Sequence, residues 1–320
     1  MITIAPALRR TLLTSVALLL AGIAVYGQDH ASDLEELFTR ESFTFGNTTL
    51  PYRCARIAAG GPVLPALVLY LHGGTSRGSD NEAPLSEKAV ADIYQYLSAH
   101  NMAATFIVPQ CPENDDWAML MHHVVYELLC SYLTTRQAHP GRVYVLGGSM
   151  GGTGTWNQLS YFPDFYAAAM PVAGNPEGLS AENVAKTPVL TVMGTDDVIM
   201  SIQTVQDFQS AVIAAGGTMR LDIETGWSHQ NTCEQSYTEE RLRWLFSHTR
   251  SNPSGIRDVN LNLNLNDNDS DNDNENENLK PGTWNLKPGT WNLYYDLSGR
   301  CATQPSQGLY IHNGKKIFVP

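Results

Sequence analysis

One serine in the chain has neighbours that favour nucleophilic chemistry. Ser149 lies in the run Gly-Gly-Ser-Met-Gly-Gly at 147–152, directly after the β-branched and aromatic segment 142–146. A serine between glycines, at a turn from strand to helix, is lifted out of the backbone so that its hydroxyl can attack a carbonyl carbon. An ordinary glycine-rich loop is the alternative. Because a serine hydroxyl is a weak nucleophile without a base, the rest of the chain decides between the two.

A candidate acid and then a candidate base follow Ser149 along the chain. Sites that carry a nucleophilic serine at a strand-to-helix turn have this order of serine, acid and histidine. Asp196 and Asp197 both come after the predicted strand 189–193. We favour Asp197, because the spacing Gly-x-x-Asp is usual there, and Asp196 is the alternative. His229 follows the last predicted strand and is the candidate base. Together these side chains predict a serine nucleophile that is activated by the histidine as base, with the aspartate orienting the imidazole and stabilising its charged form.

The negative charge that develops on an attacked carbonyl needs two backbone N–H donors. One should come from Met150, the residue after the nucleophile, where the start of a helix adds a positive dipole. The other should come from the loop after strand 66–71, which reads His-Gly-Gly-Thr, and there we favour Gly74. We expect His72, in the same loop, to be structural. This chemistry needs neither a metal nor a cofactor.

Alternating strands and helices must position these residues. Parallel pairing and a doubly wound α/β sheet are expected when strands are separated by helices. Strands are predicted at 42–45, 52–57, 66–71, 104–108, 142–146, 167–172, 189–193 and 220–224. Helices are predicted at 87–100, 117–137, from the serine turn to 161, and at 204–215 and 237–249. The first two strands flank a Gly-Asn turn and should pair antiparallel. The fold class is therefore α/β, with a mostly parallel sheet covered by helices on both faces.

Several motifs, in order along the chain, resemble those of the α/β-hydrolase family. They are His72-Gly73-Gly74, Arg77-Gly78-Ser79-Asp80-Asn81, Val108-Pro109-Gln110-Cys111-Pro112 with Trp117, Gly147 to Gly152, and Gly194-Thr195-Asp196-Asp197. The likeness covers about 50–250 and is greatest to the secreted carboxylesterase branch, often labelled "predicted peptidase", which is related to feruloyl and polyhydroxybutyrate-depolymerase-like esterases. It implies serine-dependent hydrolysis of an ester or related acyl bond. Two segments depart from that branch, at 74–75 and after the histidine at 230–233, and both could reshape the substrate pocket.

The ends of the chain predict export. Residues 1–27 are predicted to be a signal peptide, with two arginines, an apolar core and small residues before a cut that precedes Gln28. An uncleaved membrane anchor is the alternative. The catalytic domain is expected at 28–252. A disordered Asn/Asp-rich linker with a tandem Leu-Lys-Pro-Gly-Thr-Trp-Asn repeat follows at 253–292. Residues 293–320 alternate apolar and polar as a small β-module does. That tail resembles the C-terminal sorting module of type IX secretion substrates, which implies partnership with the secretion machinery and a secreted or outer-surface protein.

Composition and spacing argue against nucleic-acid, membrane and metal partners. The net charge of −12 argues against nucleic acid. No stretch after the signal is long and apolar enough to span a membrane. The linker fails the calcium-loop pattern, because positions 272 and 278 are both Asn. The five cysteines lack a Cys-x-x-Cys spacing, so a zinc site has little support. Some of them could pair after export, and Cys301 is the candidate for the thiol left over.

Three function hypotheses remain. The first is a serine carboxylesterase with a small-molecule or polysaccharide-linked ester as substrate, plausibly a feruloyl or acetyl ester of a plant polysaccharide. The second is a serine peptidase of the same fold. The third is a catalytically inactive surface-binding module, in which the tryptophans of the tandem repeat, Trp284 and Trp291, contact glycans.

Overall fold

The computed structural model describes residues 34–61, 63–118 and 120–250, with the backbone of four tail segments, 294–296, 301–302, 308–312 and 315–319. The chain divides into two compact units, and the first ends at Ile256. The predicted signal peptide 1–27 and the predicted linker 253–292 lie outside the described residues.

An eight-stranded sheet organises the first unit. Its strands are β1 Thr39–Phe45, β2 Thr48–Ile57, β3 Ala66–Leu71, β4 Ala104–Pro109, β5 Val143–Gly148, β6 Ala168–Val172, β7 Val189–Gly194 and β8 Met219–Glu224. They are arranged in the order β1-β2-β4-β3-β5-β6-β7-β8. The β1–β2 and β2–β4 pairs are antiparallel, and all pairs from β4 to β8 are parallel. The predicted antiparallel start and parallel core are confirmed.

The central strands are buried on both faces, which explains their continuous apolar sequence. Every residue of β3 is buried, and successive side chains enter different clusters. Leu67 and Leu69 join the core on one face, whereas Val68 and Tyr70 join the core on the other. This alternation follows from the two-residue period of a strand.

Helices cover both faces of the sheet, as predicted. They are α1 Lys88–Ala99, α2 Leu120–Thr134, α3 Met150–Tyr161, α4 Ala181–Val184, α5 Ile202–Ala214, α6 His229–Gln235 and α7 Glu239–Phe246. The apolar residues of α2, α3 and α5 belong to one cluster and those of α1 and α7 to the other. Two 3₁₀ helices, Gly74–Ser76 and Ala83–Ser86, precede α1. Within the described residues, no helix has the length and hydropathy needed to cross a membrane.

Some boundaries differ from the sequence prediction. The second long helix is shorter at both ends, because only 120–134 is helical of the predicted 117–137. The last predicted helix, 237–249, is the shorter α7 Glu239–Phe246, and the helix α6 His229–Gln235 before it was not predicted. The tail forms a four-stranded antiparallel sheet, in the order β10-β9-β11-β12, of strands β9 Tyr294–Asp296, β10 Cys301–Ala302, β11 Gly308–His312 and β12 Lys315–Val319. These strands fall within the predicted β-module 293–320.

Candidate active site

Three strand ends carry the candidate residues. Ser149 directly follows β5, Asp197 follows β7 by three residues, and His229 follows β8 by five. The carboxyl ends of neighbouring parallel strands lie at one edge of a sheet, which is where open α/β sheets place their ligands. The topology therefore brings three residues that are distant in sequence to the same rim.

Ser149 occupies a strained turn between β5 and α3. Its backbone has φ 57° and ψ −117°, a region that costs free energy for a residue with a side chain. Its N–H donates to the carbonyl of Val172 on the neighbouring strand at 3.0 Å, which holds the turn. The flanking glycines are required by space: a Cβ on Gly147 would lie 2.8 Å from the Leu71 carbonyl oxygen, and one on Gly151 would lie 2.8 Å from that of His72.

The three side chains form a continuous hydrogen-bonded relay. His229 Nε2 is 2.7 Å from Ser149 Oγ, and His229 Nδ1 is 2.7 Å from Asp197 Oδ2. The Asp197 side chain is fully buried, whereas 15% of the His229 side chain is exposed. A carboxylate at Nδ1 fixes the tautomer that leaves Nε2 free to accept the serine proton. The predicted meeting of these three residues is therefore found in the structure.

Asp197 is held in place by its own loop. Its Oδ1 accepts the N–H groups of Ile199 at 2.8 Å and Met200 at 2.9 Å, which leaves Oδ2 for the histidine. Asp196, the alternative acid, is exposed, and its carboxylate accepts the hydroxyl of Thr195 at 3.0 Å. The structure thus places Asp197, and not Asp196, beside the imidazole.

His229 is the first residue of α6. Ser228 caps this helix, because its hydroxyl accepts the N–H of Asn231 at 3.2 Å. A helix start gives the imidazole a fixed backbone, whereas the sequence had suggested a plain loop. Ser228, an N-cap residue type directly before the helix, was the signal that could have predicted this cap.

The two predicted oxyanion donors lie on the elements expected for them. Met150 is the first residue of α3, where a helix leaves its first N–H groups without intrahelical partners. Gly74 begins the 3₁₀ helix Gly74–Ser76. The neighbouring Gly73 N–H is already engaged by the carboxylate of Glu87 at 2.9 Å. A Cβ placed on Gly73 would be 3.7 Å from the Cβ of Ser149, so this loop lies directly against the serine.

His72 has the structural geometry that we predicted for it. Its Nε2 accepts the Cys111 N–H at 2.9 Å, so its Nδ1–H donates to the carbonyl of Gly73 at 2.6 Å. The Trp117 indole N–H donates to the His72 carbonyl at 2.9 Å. Full burial lowers the pKa of His72 to about 4, so the ring is neutral at pH 7. Both ring nitrogens are used to hold the loop.

Two residues near the site were missed by the sequence reasoning. Glu87 receives three hydrogen bonds from the loop and strand beside Ser149. Cys233, one turn after the histidine on α6, has its Sγ 3.5 Å from the position of a Cβ on Gly148. Burial raises the pKa of Cys233 to about 12, so it is a neutral thiol that packs under the turn. Neither belongs to a local motif, so no sequence signal identified them.

No cluster of three or more His, Cys, Asp or Glu side chains suited to a metal ion occurs in the described part of the chain. What the rim offers is a hydroxyl, an imidazole and a buried carboxylate in series, beside two backbone N–H groups. Such an arrangement can form a covalent bond to a carbonyl carbon and transfer the proton that is released.

Comparison with known proteins agrees with this architecture. Residues 91–244 match the model of the dienelactone hydrolase family. No match was found among curated proteins. A thermostable esterase of known structure is 24% identical, with a TM-score of 0.61, over 67% of this chain and 64% of that chain. The chain therefore spans somewhat less than two thirds of that esterase.

Two further structures share the fold. A puromycin-hydrolyzing peptidase from Mycobacterium tuberculosis is 16% identical, with a TM-score of 0.53, over 66% of this chain and 40% of that chain. A thermophilic esterase from Thermogutta terrifontis is 14% identical, with a TM-score of 0.50, over 66% of this chain and 92% of that chain. With the observed sheet order and serine turn, these matches identify the chain as an α/β-hydrolase-fold protein that is similar, over 91–244, to the dienelactone hydrolases.

Proposed function

We propose that the protein is a serine esterase that hydrolyses carboxylic esters through an acyl-enzyme. The observation that carries the proposal is the relay of two 2.7 Å hydrogen bonds from Ser149 through His229 to Asp197. The strained backbone of Ser149 supports it, because such strain persists at functional sites. The likeness to the dienelactone hydrolase family supports ester chemistry, since a lactone is a cyclic ester.

In the first half of the reaction, Ser149 Oγ attacks the ester carbonyl carbon and its proton passes to His229 Nε2. The carbonyl oxygen becomes an oxyanion that accepts hydrogen bonds from the N–H groups of Met150 and Gly74. Asp197 stabilises the imidazolium without taking its proton. The intermediate then collapses: the carbon–oxygen bond to the alcohol breaks, and His229 donates its proton to the leaving oxygen.

The second half repeats these steps with water. A water molecule gives a proton to His229 Nε2 and attacks the acyl carbon, and the same two N–H groups hold the second oxyanion. Collapse breaks the bond to Ser149 Oγ, which recovers its proton from the imidazole, and the carboxylic acid leaves. The net reaction consumes one water and yields one acid and one alcohol.

Substrate and location extend the proposal. Feruloyl or acetyl esters of plant polysaccharides are the proposed substrates, on the resemblance of the motifs to secreted carboxylesterases. We also propose that the chain is cut before Gln28 and reaches the cell surface through its 293–320 module. N-terminal sequencing of the exported protein tests the cut, and deletion of 293–320 should leave the enzyme in the cell.

Hydrolysis of p-nitrophenyl acetate by the purified full chain tests the central proposal. Ser149→Ala should lower kcat/KM by about 10⁴-fold or more, because removal of the nucleophile of a triad costs that much. Ser210→Ala is the matched control, since Ser210 is exposed on α5, and it should retain full activity. Equal turnover by wild type and Ser149→Ala would remove the serine mechanism.

A substrate panel then separates the candidate classes. Acetylated, feruloylated and aliphatic esters are compared with dipeptide p-nitroanilides of equal concentration. Preference for the esters supports the proposal, whereas a higher kcat/KM on the anilides would favour the peptidase. Failure to turn over any of them would favour the inactive binding module.

A further inference from the structure

Glu87 stands immediately before α1, but it does not serve that helix. It is the N-cap residue of α1, with φ −72° and ψ 125°, and its side chain makes no capping hydrogen bond. Glutamate is not among the usual N-cap residues, and here its carboxylate turns away from α1 toward the loop that carries Gly74. Its role has to be sought there.

The carboxylate of Glu87 is the acceptor for three donors. The Gly73 N–H donates to Oε1 at 2.9 Å, the Ser76 hydroxyl to the same oxygen at 2.6 Å, and the Tyr70 hydroxyl to Oε2 at 2.7 Å. Among the ion pairs of the described residues, none involves Glu87. Burial raises the pKa of this carboxyl. A partly buried carboxylate without a counter-charge needs hydrogen bonds in place of its lost hydration, and these three donors supply them.

The three donors bracket the proposed oxyanion loop. Tyr70 lies on β3, just before the loop, and its ring is fully buried. Gly73 and Ser76 stand on either side of Gly74, so Glu87 ties down the loop before and after that residue. Gly73 also lies against the nucleophile, since a Cβ on it would be 3.6 Å from Glu87 Oε1 and 3.7 Å from the Cβ of Ser149.

We infer that Glu87 is a positioning residue for the oxyanion hole. It engages the Gly73 N–H and fixes the turn that follows, so that within this loop the Gly74 N–H is the one directed at the reacting carbonyl, opposite that of Met150. Without the carboxylate, the partly buried Gly73 N–H lacks its acceptor and the loop relaxes. This inference rests on the proposed esterase function and deepens it.

The N–H donors must lie within hydrogen-bonding distance of the oxyanion, because removal of one donor typically lowers kcat by about 10²–10³-fold. Glu87→Ala removes all three acceptor contacts and should lower kcat about 100-fold, with KM within threefold. Glu87→Gln keeps a carbonyl oxygen for Gly73 and Ser76 but loses the charge that strengthens these hydrogen bonds, and it should lower kcat about three- to tenfold. Ser76→Ala removes one donor and should cost less than tenfold. Glu36→Ala, on an exposed residue, is the control and should leave kcat unchanged.

Affinity for an alkyl boronic acid separates positioning from stability. The boronate forms a tetrahedral adduct whose oxygen occupies the oxyanion position, so its Ki should rise in Glu87→Ala by the same factor as kcat falls. A role in stability alone would lower Tm but leave kcat and Ki at 25 °C unchanged, and that result overturns the inference. An equal loss in Glu87→Gln and Glu87→Ala, or a Glu87→Ala variant that keeps kcat within threefold of wild type, would also overturn it. If Glu87→Ala does not fold, Glu87→Gln and Ser76→Ala carry the test, and kcat unchanged in both contradicts the inference.

The same assays show which proposal has failed. Wild type without turnover that depends on Ser149 refutes the esterase itself. Turnover that depends on Ser149 but is insensitive to Glu87 refutes only the positioning role.

Discussion

Replacement of Gly151 by alanine tests whether the serine turn and the oxyanion loop are packed as described. Gly151 lies on α3 where that helix meets the carboxyl end of β3. A Cβ there would be 2.5 Å from the Leu71 carbonyl carbon and 2.8 Å from the His72 carbonyl oxygen, and closer still to the Leu71 oxygen. Carbon atoms pack at about 3.5–4.0 Å, and these obstacles are backbone atoms that cannot rotate away. The helix and the strand end must therefore separate by roughly 1 Å.

The displacement has two measurable consequences. Overpacking costs about 1–3 kcal/mol, and the lower unfolded-state entropy of alanine offsets about 0.4–1 kcal/mol of this. Because the obstacles are backbone atoms, the overpacking cost should lie at the upper end of its range, and we expect the free energy of unfolding to fall by about 2 kcal/mol. The same shift moves Ser149 away from the loop that carries Gly74. A misplacement of about 1 Å costs about 10²-fold in catalysis, so kcat/KM should fall about 100-fold.

Urea denaturation and p-nitrophenyl acetate hydrolysis measure the two effects. The control is Gly60→Ala, because no atom lies within 4 Å of a Cβ on Gly60. It should change stability by less than about 0.5 kcal/mol and leave kcat/KM unaltered. A Gly151→Ala protein with kcat/KM within threefold of wild type would refute the packing argument.

Three further perturbations follow from the described contacts. Asp197→Asn should lower kcat about 10⁴-fold with little change in stability, whereas Asp196→Asn should keep kcat within threefold of wild type. Equal losses of kcat in the two variants, measured on the same ester, would mean that the acid is misassigned. Burial lowers the pKa of His122 to about 3, so below about pH 6.5 the unfolded state takes up a proton that the folded state does not, and the free energy of unfolding falls toward pH 3. His122→Phe should reduce this pH dependence by about 1.4 kcal/mol per pH unit, measured by urea denaturation from pH 7 to pH 4. An unaltered pH dependence would contradict the prediction. Arg241 is 7% exposed and paired with two partly exposed carboxylates, one of which also keeps Arg220, so Arg241→Met should lower the free energy of unfolding by about 1–3 kcal/mol. The pair of Arg243 is exposed, so Arg243→Met should cost under about 0.5 kcal/mol, and similar losses by urea denaturation would be inconsistent with the burial of Arg241.

The sequence was most informative where one residue pattern had one structural solution. The segment 66–71 is apolar throughout, and the strand buried on both faces has those bounds. The serine between Gly147 and Gly151, directly after a predicted strand, indicated the strand-to-helix turn, because few other arrangements need glycines at both positions. The choice of Asp197 over Asp196 rested on spacing, and the structure explains it, since the loop N–H groups orient one carboxylate toward His229.

Local patterns failed where long-range contacts decide the outcome. The helix α6 was missed for a local reason instead, because the N-cap at Ser228 follows a Gly-Trp segment that is typical of a loop. Glu87 is one acid at the start of a predicted helix, and its value depends on donors 11 to 17 residues earlier in the chain. No periodicity or spacing carries that information, because it arises only when β3 and α1 pack together.

Covalent labelling of the nucleophile decides whether Ser149 is the residue that would form the proposed acyl-enzyme. The purified protein is treated with a p-nitrophenyl alkylphosphonate, which transfers its phosphonyl group to an activated serine, and the digest is sequenced by tandem mass spectrometry. We expect one phosphonyl group per chain, located on Ser149, with p-nitrophenol release and loss of esterase activity in equal measure. The His229→Ala variant should label at least 100-fold more slowly. Full inactivation with the label on another residue, or retained activity with Ser149 fully labelled, would contradict the account.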